Sequence, residues 1–154
     1  MNICRLLNEN QIFLDLESGE KTEVLGEFVR RLEKKGLIKN AKTVLKELIE
    51  RENLCSTGLE KGIALPHTLT EEVEEPFLAL GLIKDGMQYE SLDNNPTFVL
   101  LLILGNKKDP GSQLKIIAHI CRLVKETDFV ERVKAIGSAR DICSLLDDVE
   151  GKIG

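Results

Sequence analysis

The chain has 154 residues, 42% of them hydrophobic and 31% charged, and 26 acidic against 21 basic side chains give a formal net charge of −5. Those figures fit one compact domain with a soluble surface. An acidic chain without a basic stripe argues against nucleic acid and anionic membrane as partners. With no Trp and only 4% aromatic residues, the core must be aliphatic. The four cysteines, Cys4, Cys55, Cys121 and Cys143, are widely spaced with no CxxC pair, so they read as free thiols in a reducing cytoplasm. The start, MNICRLLNENQ, lacks the basic and apolar regions of a signal peptide. The longest apolar run, FVLLLIL from Phe98 to Leu104, is far short of the roughly 20 residues that cross a bilayer. A cytoplasmic protein without membrane insertion is expected.

In chain order, ENQIFLDL (9–16) alternates like a short strand. Residues 21–35 place Val24, Leu25, Phe28, Val29 and Leu32 at helical spacing, and Gly36 is a natural stop. Asn40 is placed to cap a second helix with Val44, Leu45, Leu48 and Ile49 inside, fading near Arg51 and Glu52. NLCSTGLEKG then reads as a loop, Ile63 to Leu65 as a strand, and TEEVEEP (70–76) as an exposed acidic loop. FLALGLI (77–83) reads as a buried strand, followed by turn signals at Asp85-Gly86 and Asp93-Asn94-Asn95-Pro96. Thr97 to Leu104 is apolar on both faces, which requires cover on both sides of the sheet. A helix is expected over Gln113 to Lys125, with Leu114, Ile117, Ile120, Cys121 and Val124 inside. A short helix follows over Phe129 to Ile136, and a last one begins at Ser138 with Ile142, Leu145 and Leu146 inside. The expected fold is α/β: a single domain over 1–154, with a mixed sheet flanked by helices on both faces.

The candidate chemistry lies in GIALPHT. Pro66 fixes φ and has no N–H to donate, so it marks a strand end or edge and presents His67 there. Open α/β sheets commonly hold ligands at such ends. Imidazole gains and loses a bond readily near neutral pH. The plain alternative is a surface histidine after a strand. His119, inside QLKIIAHICRL, borders the inner face of its helix; its plain reading is a half-buried ring bonded to a backbone carbonyl. A zinc site is disfavoured, because His119 and Cys121 at i and i+2 point to different sides of a helix. No cysteine stands in a nucleophile turn.

The stretch RENLCSTGLEKGIALPH, Arg51 to His67, resembles the active-site signature of the type 2 EIIA domains of the bacterial sugar phosphotransferase system, the fructose, mannitol, galactitol and nitrogen-regulatory group. The matching features are Arg51-Glu52, Thr57-Gly58, Gly62 and Ile63-Ala64-Leu65-Pro66-His67. Similarity extends over GLIKDGMQYESLDNNPTFVLLLIL and covers about Glu9 to Leu146. The family's loop corresponding to NKKDPGSQ leads to a second histidine near the helix start, a role the resemblance assigns to His119, which sits deeper in the helix.

The resemblance implies a phosphotransferase that carries phosphate on a histidine, His67. The donor would be the phosphocarrier HPr, and the acceptor an EIIB component with a cysteine. Arg51 and His119 would act as donors to the phosphoryl oxygens. No metal or other cofactor is implied, and TGLEKG lacks the lysine-serine or lysine-threonine ending of a nucleotide-binding loop. A regulatory module, switched by phosphorylation of His67 and binding other proteins, is the alternative. A hydrolase with a histidine base is the weaker third, for want of a partnered nucleophile.

Overall fold

The computed structural model describes residues 1–153. After two 3-10 turns, Ile3–Leu6 and Glu9–Gln11, the elements are β1 (Ile12–Phe13), α1 (Lys21–Lys34), α2 (Ala41–Leu54), β2 (Ile63–Ala64), β3 (His67–Thr70), β4 (Phe77–Met87), β5 (Thr97–Asn106), α3 (Pro110–Glu126), α4 (Phe129–Ala135) and α5 (Ala139–Ile153). The strands form one mixed sheet in the order β1-β4-β5-β2, with β3 pairing β5 further along the same edge. β4 runs antiparallel to β5; β1 is parallel to β4, and β2 and β3 are parallel to β5.

β5 organises the core, as its continuous apolar run predicts. Val99, Leu101 and Ile103 face one cluster with Ile120, Leu123, Val133, Leu145 and Leu146 of α3, α4 and α5. Leu100, Leu102 and Leu104 face the other, with Val24, Phe28, Val44 and Leu48 of α1 and α2. The period-2 alternation of a strand sends successive side chains to opposite faces, so both faces need helices. No helix among the described residues is long and apolar enough to cross a membrane. All four cysteines are free thiols.

Several local expectations shift. The strand expected over 9–16 shrinks to Ile12–Phe13, because Asn8 and Gln11 form a reciprocal capping box that winds Glu9–Gln11 into a 3-10 turn. α2 runs on to Leu54, past Arg51 and Glu52. β4 continues through Asp85-Gly86, where a turn was expected; Gly86 adopts φ 75° inside the strand. His67–Thr70 forms a further strand beyond the one expected over Ile63 to Leu65 and takes in Thr70 from the expected loop, because β5 offers it a parallel partner. α3 begins at Pro110, with Asp109 capping the Ser112 N–H, three residues before the expected start. Its inward face is Gln113, Ile116, Ile120, Leu123 and Val124. Leu114, expected inside, is 66% exposed.

Candidate functional site

β2 and β3 are two segments of one edge, interrupted at Pro66. The Pro66 carbonyl still accepts the Ile103 N–H at 2.9 Å, so the edge stays attached to β5 across the break. On the outer side, the loop after α2 covers β2: Leu59 N–H donates to Ile63 O at 2.9 Å, and Leu65 N–H to Thr57 O at 3.0 Å. That cover stops short of the Leu65 carbonyl, which the His67 ring occupies instead, with Nδ1 at 2.7 Å. A carbonyl can only accept, so Nδ1 carries the hydrogen in the neutral ring. Nε2 is therefore left with its lone pair, on a half-buried imidazole.

Burial pushes the His67 pKa below its ordinary 6.5, and the Arg51 charge pushes it the same way; the Leu65 carbonyl and Glu52 oppose them. The net direction favours the neutral, nucleophilic form. Arg51 sits in the last turn of α2, where its Nη1 donates to the Cys55 carbonyl at 2.9 Å. Among the described residues it pairs with no carboxylate. Its fork of donors is thus available to an anion near His67.

The next residue explains the rest of the signature. Glu52, with its side chain 3% exposed, takes the inner position one turn after Leu48. Its Oε1 accepts from Lys21 Nζ at 3.1 Å and from the Thr57 N–H at 3.1 Å. Its Oε2 accepts from the Thr57 hydroxyl and from the Tyr89 hydroxyl at 2.9 Å. A buried carboxylate persists when its acceptor sites are filled in this way. The cluster ties the end of α2 to the Thr57-Gly58 turn, and that turn carries the cover over β2. Gly58 is required by close approach: a Cβ there would meet Glu90 O and Ser91 Cα at 3.0 Å. Tyr89 stays protonated, because burial and then the Glu52 charge push its pKa up.

The three residues singled out in the sequence do not all meet. The Arg51 charge acts on the His67 ring. His119, from α3, turns towards α5, where its Nε2 lies 2.7 Å from Glu150 Oε2. Glu150 also accepts the N–H groups of Ile3 at 2.7 Å and Cys4 at 2.8 Å. His119 thus belongs to a latch joining α3, α5 and the N-terminal turn, and among the described residues no hydrogen bond links it to His67. The α3 residue that reaches the active edge is Gln113, whose Nε2 is 2.8 Å from the Thr68 carbonyl. Glu52 was detectable as a charge on the apolar stripe Val44-Leu48; Gln113, Tyr89 and Lys21 carried no comparable signal. No group of three or more His, Cys, Asp and Glu side chains among the described residues could hold a metal ion.

At the edge of a mixed α/β sheet, a histidine with Nε2 free in its neutral ring thus feels the charge of an arginine that pairs with no carboxylate among the described residues, an arrangement compatible with an anionic group. The family model described as "Phosphoenolpyruvate-dependent sugar phosphotransferase system, EIIA 2" matches residues 5–149, and the chain belongs to this family. It is 31% identical over 147 residues to the fructose-specific EIIABC component of Bacillus subtilis (strain 168), covering 96% of this chain and 23% of that protein. It is 29% identical over 107 residues to a nitrogen regulatory protein of Bradyrhizobium diazoefficiens, covering 70% of each. The crystal structure of nitrogen regulatory protein IIA-Ntr from Neisseria meningitidis superposes with a TM-score of 0.83 at 24% identity, covering 94% of this chain and 98% of that one. The Escherichia coli enzyme IIA mannitol, solved in complex with phosphorylated enzyme IIB mannitol, superposes at 0.74 with 18% identity, covering 92% and 98%. The chain spans about a quarter of the length of the Bacillus relative.

Proposed function

We propose that this chain is a phosphoryl carrier in which His67 accepts phosphate from phospho-HPr and passes it to the cysteine of an EIIB component. The observation that carries the proposal is the ring of His67, held by the Leu65 carbonyl with Nε2 unprotonated. In the first step the Nε2 lone pair forms a bond to phosphorus, while the donor's phosphorus–nitrogen bond breaks and its electron pair returns to the donor histidine. Positive charge develops on the His67 ring, and the Leu65 carbonyl, bonded to Nδ1–H, stabilises it. In the second step a cysteine thiolate attacks phosphorus and the pair returns to Nε2. Such transfers pass through a loose transition state, so the protein's contribution is positioning and charge stabilisation. Arg51, whose charge acts on the His67 ring, would neutralise the phosphoryl oxygens in this reading.

Leu54, 82% exposed one turn beyond Arg51, and Leu114, 66% exposed and next to Gln113 in sequence, are apolar side chains that suit contact with carrier proteins. The printed description of the mannitol relative, a complex with phosphorylated enzyme IIB, supports an acceptor of that kind. A regulatory role, in which the phosphorylated and free forms of His67 bind different partners, is favoured by the match to a nitrogen regulatory protein over 70% of its length.

The test combines the protein with phosphoenolpyruvate, the first phosphotransferase enzyme and HPr, and measures acid-labile phosphate. Wild type becomes labelled and His67→Ala does not. Full labelling of His67→Ala overturns the proposal. Adding a cysteine-bearing EIIB then separates relay, which discharges the label, from regulation, which retains it.

A further inference from the structure

We propose that Gln113 is a positioning residue for the transfer at His67, acting through the peptide that follows it; this rests on the reading of His67 as the acceptor. Gln113 is 6% exposed in the first turn of α3. Its Nε2 lies 2.8 Å from the Thr68 carbonyl and 3.4 Å from the Ile103 carbonyl. Both partners only accept, so the NH₂ end of the amide must face them; the flipped amide would crowd three oxygens together. Ile103 is the β5 residue in register with His67, and Thr68 is the residue after it. The amide therefore fastens the backbone beside the nucleophile to the central strand.

β3 needs that fastening. It is a four-residue edge strand, entered through a proline that donates no N–H. Gly105 makes the contact sterically possible: a Cβ there would meet both Cβ and Nε2 of Gln113 at 3.0 Å. Ser112, the preceding residue, is held by Asp109 through its N–H and its hydroxyl, which fixes the helix end that carries Gln113. With its hydrogens directed at the two carbonyls, Gln113 does not serve the phosphoryl group. It determines where Nε2 points.

The experiment is pre-steady-state transfer from phospho-HPr, with circular dichroism as the folding control. Gln113→Leu keeps the volume and removes the donors. The expected result is a kcat about tenfold lower, the scale of a slightly misdirected nucleophile, with KM for phospho-HPr within about twofold. Gln113→His, which restores one donor towards Thr68, should recover most of the rate. Gln113→Glu, nearly isosteric but setting oxygen against two carbonyls, should be as slow as Leu. A merely structural role would lower the thermal midpoint without this ordering. Wild-type kcat in folded Gln113→Leu, or in Gln113→Glu should Leu fail to fold, overturns this proposal alone. An unlabelled wild type overturns it together with the phosphoryl-carrier reading.

Discussion

Removing one oxygen from the centre of the fold tests the account of the Glu52 cluster. In Tyr89→Phe the ring remains, fully buried and still beneath the Lys21 ammonium, which stands 4.5 Å from its centroid. What is lost is the hydroxyl that donates to Glu52 Oε2 at 2.9 Å. A hydrogen bond to a charged group contributes about 1.5–3 kcal/mol. The lower part of that range applies, because Oε2 keeps the Thr57 hydroxyl and is not orphaned. For a chain of this length 1 kcal/mol moves the midpoint by roughly 2–4 °C, so a loss of about 2 kcal/mol lowers Tm by roughly 4–8 °C. Urea unfolding should show a lower midpoint at unchanged slope, since the exposed surface is the same. The Thr57→Val substitution removes the other hydroxyl on the same oxygen, so the two effects should be non-additive. Because Tyr89 stays protonated through neutral pH, the loss should not vary between pH 6 and 8. An unchanged Tm and additive double substitution would refute the claim that Glu52 organises the turn.

Two further outcomes are expected. The folded His67 pKa lies below the ordinary 6.5, chiefly through burial and then Arg51, so its contribution to stability is intact above 6.5 and is lost as pH falls through the folded value. Phosphoryl acceptance, which needs the neutral ring, should share that acid limb; Arg51→Gln should move the limb up towards 6.5. Rate–pH profiles and NMR titration of the ring measure it, and a wild-type midpoint at or above 6.5 would contradict the site's electrostatics. His119→Ala should weaken the fold by about 1–2 kcal/mol, as expected for one lost bond on a buried carboxylate that keeps the Ile3 and Cys4 N–H donors. Both transfer half-reactions should be unchanged; a selective fall in onward transfer would return His119 to the site.

Much of this protein could be read from residue order alone. The apolar run of β5 from Phe98 to Leu104 dictated a doubly covered sheet, since successive apolar residues on both faces leave neither face to give to water. α1 followed from its 3.6-residue periodicity. The signature from Arg51 to His67 marked the proposed nucleophile and the family, because its spacing is local and dense. Other features depended on pairs of residues far apart in the chain. HTLT could be recognised as a strand only once β5 lay beside it. Glu52 meets Tyr89 across 37 residues, and Gln113 meets Thr68 across 45. Histidine identity pointed to His119, but a helix turns 100° per residue, and six residues separate Gln113, which faces the active edge, from His119, which faces α5. Residue type named the chemistry; the rotation of α3 on the sheet decided which side chain stands next to it.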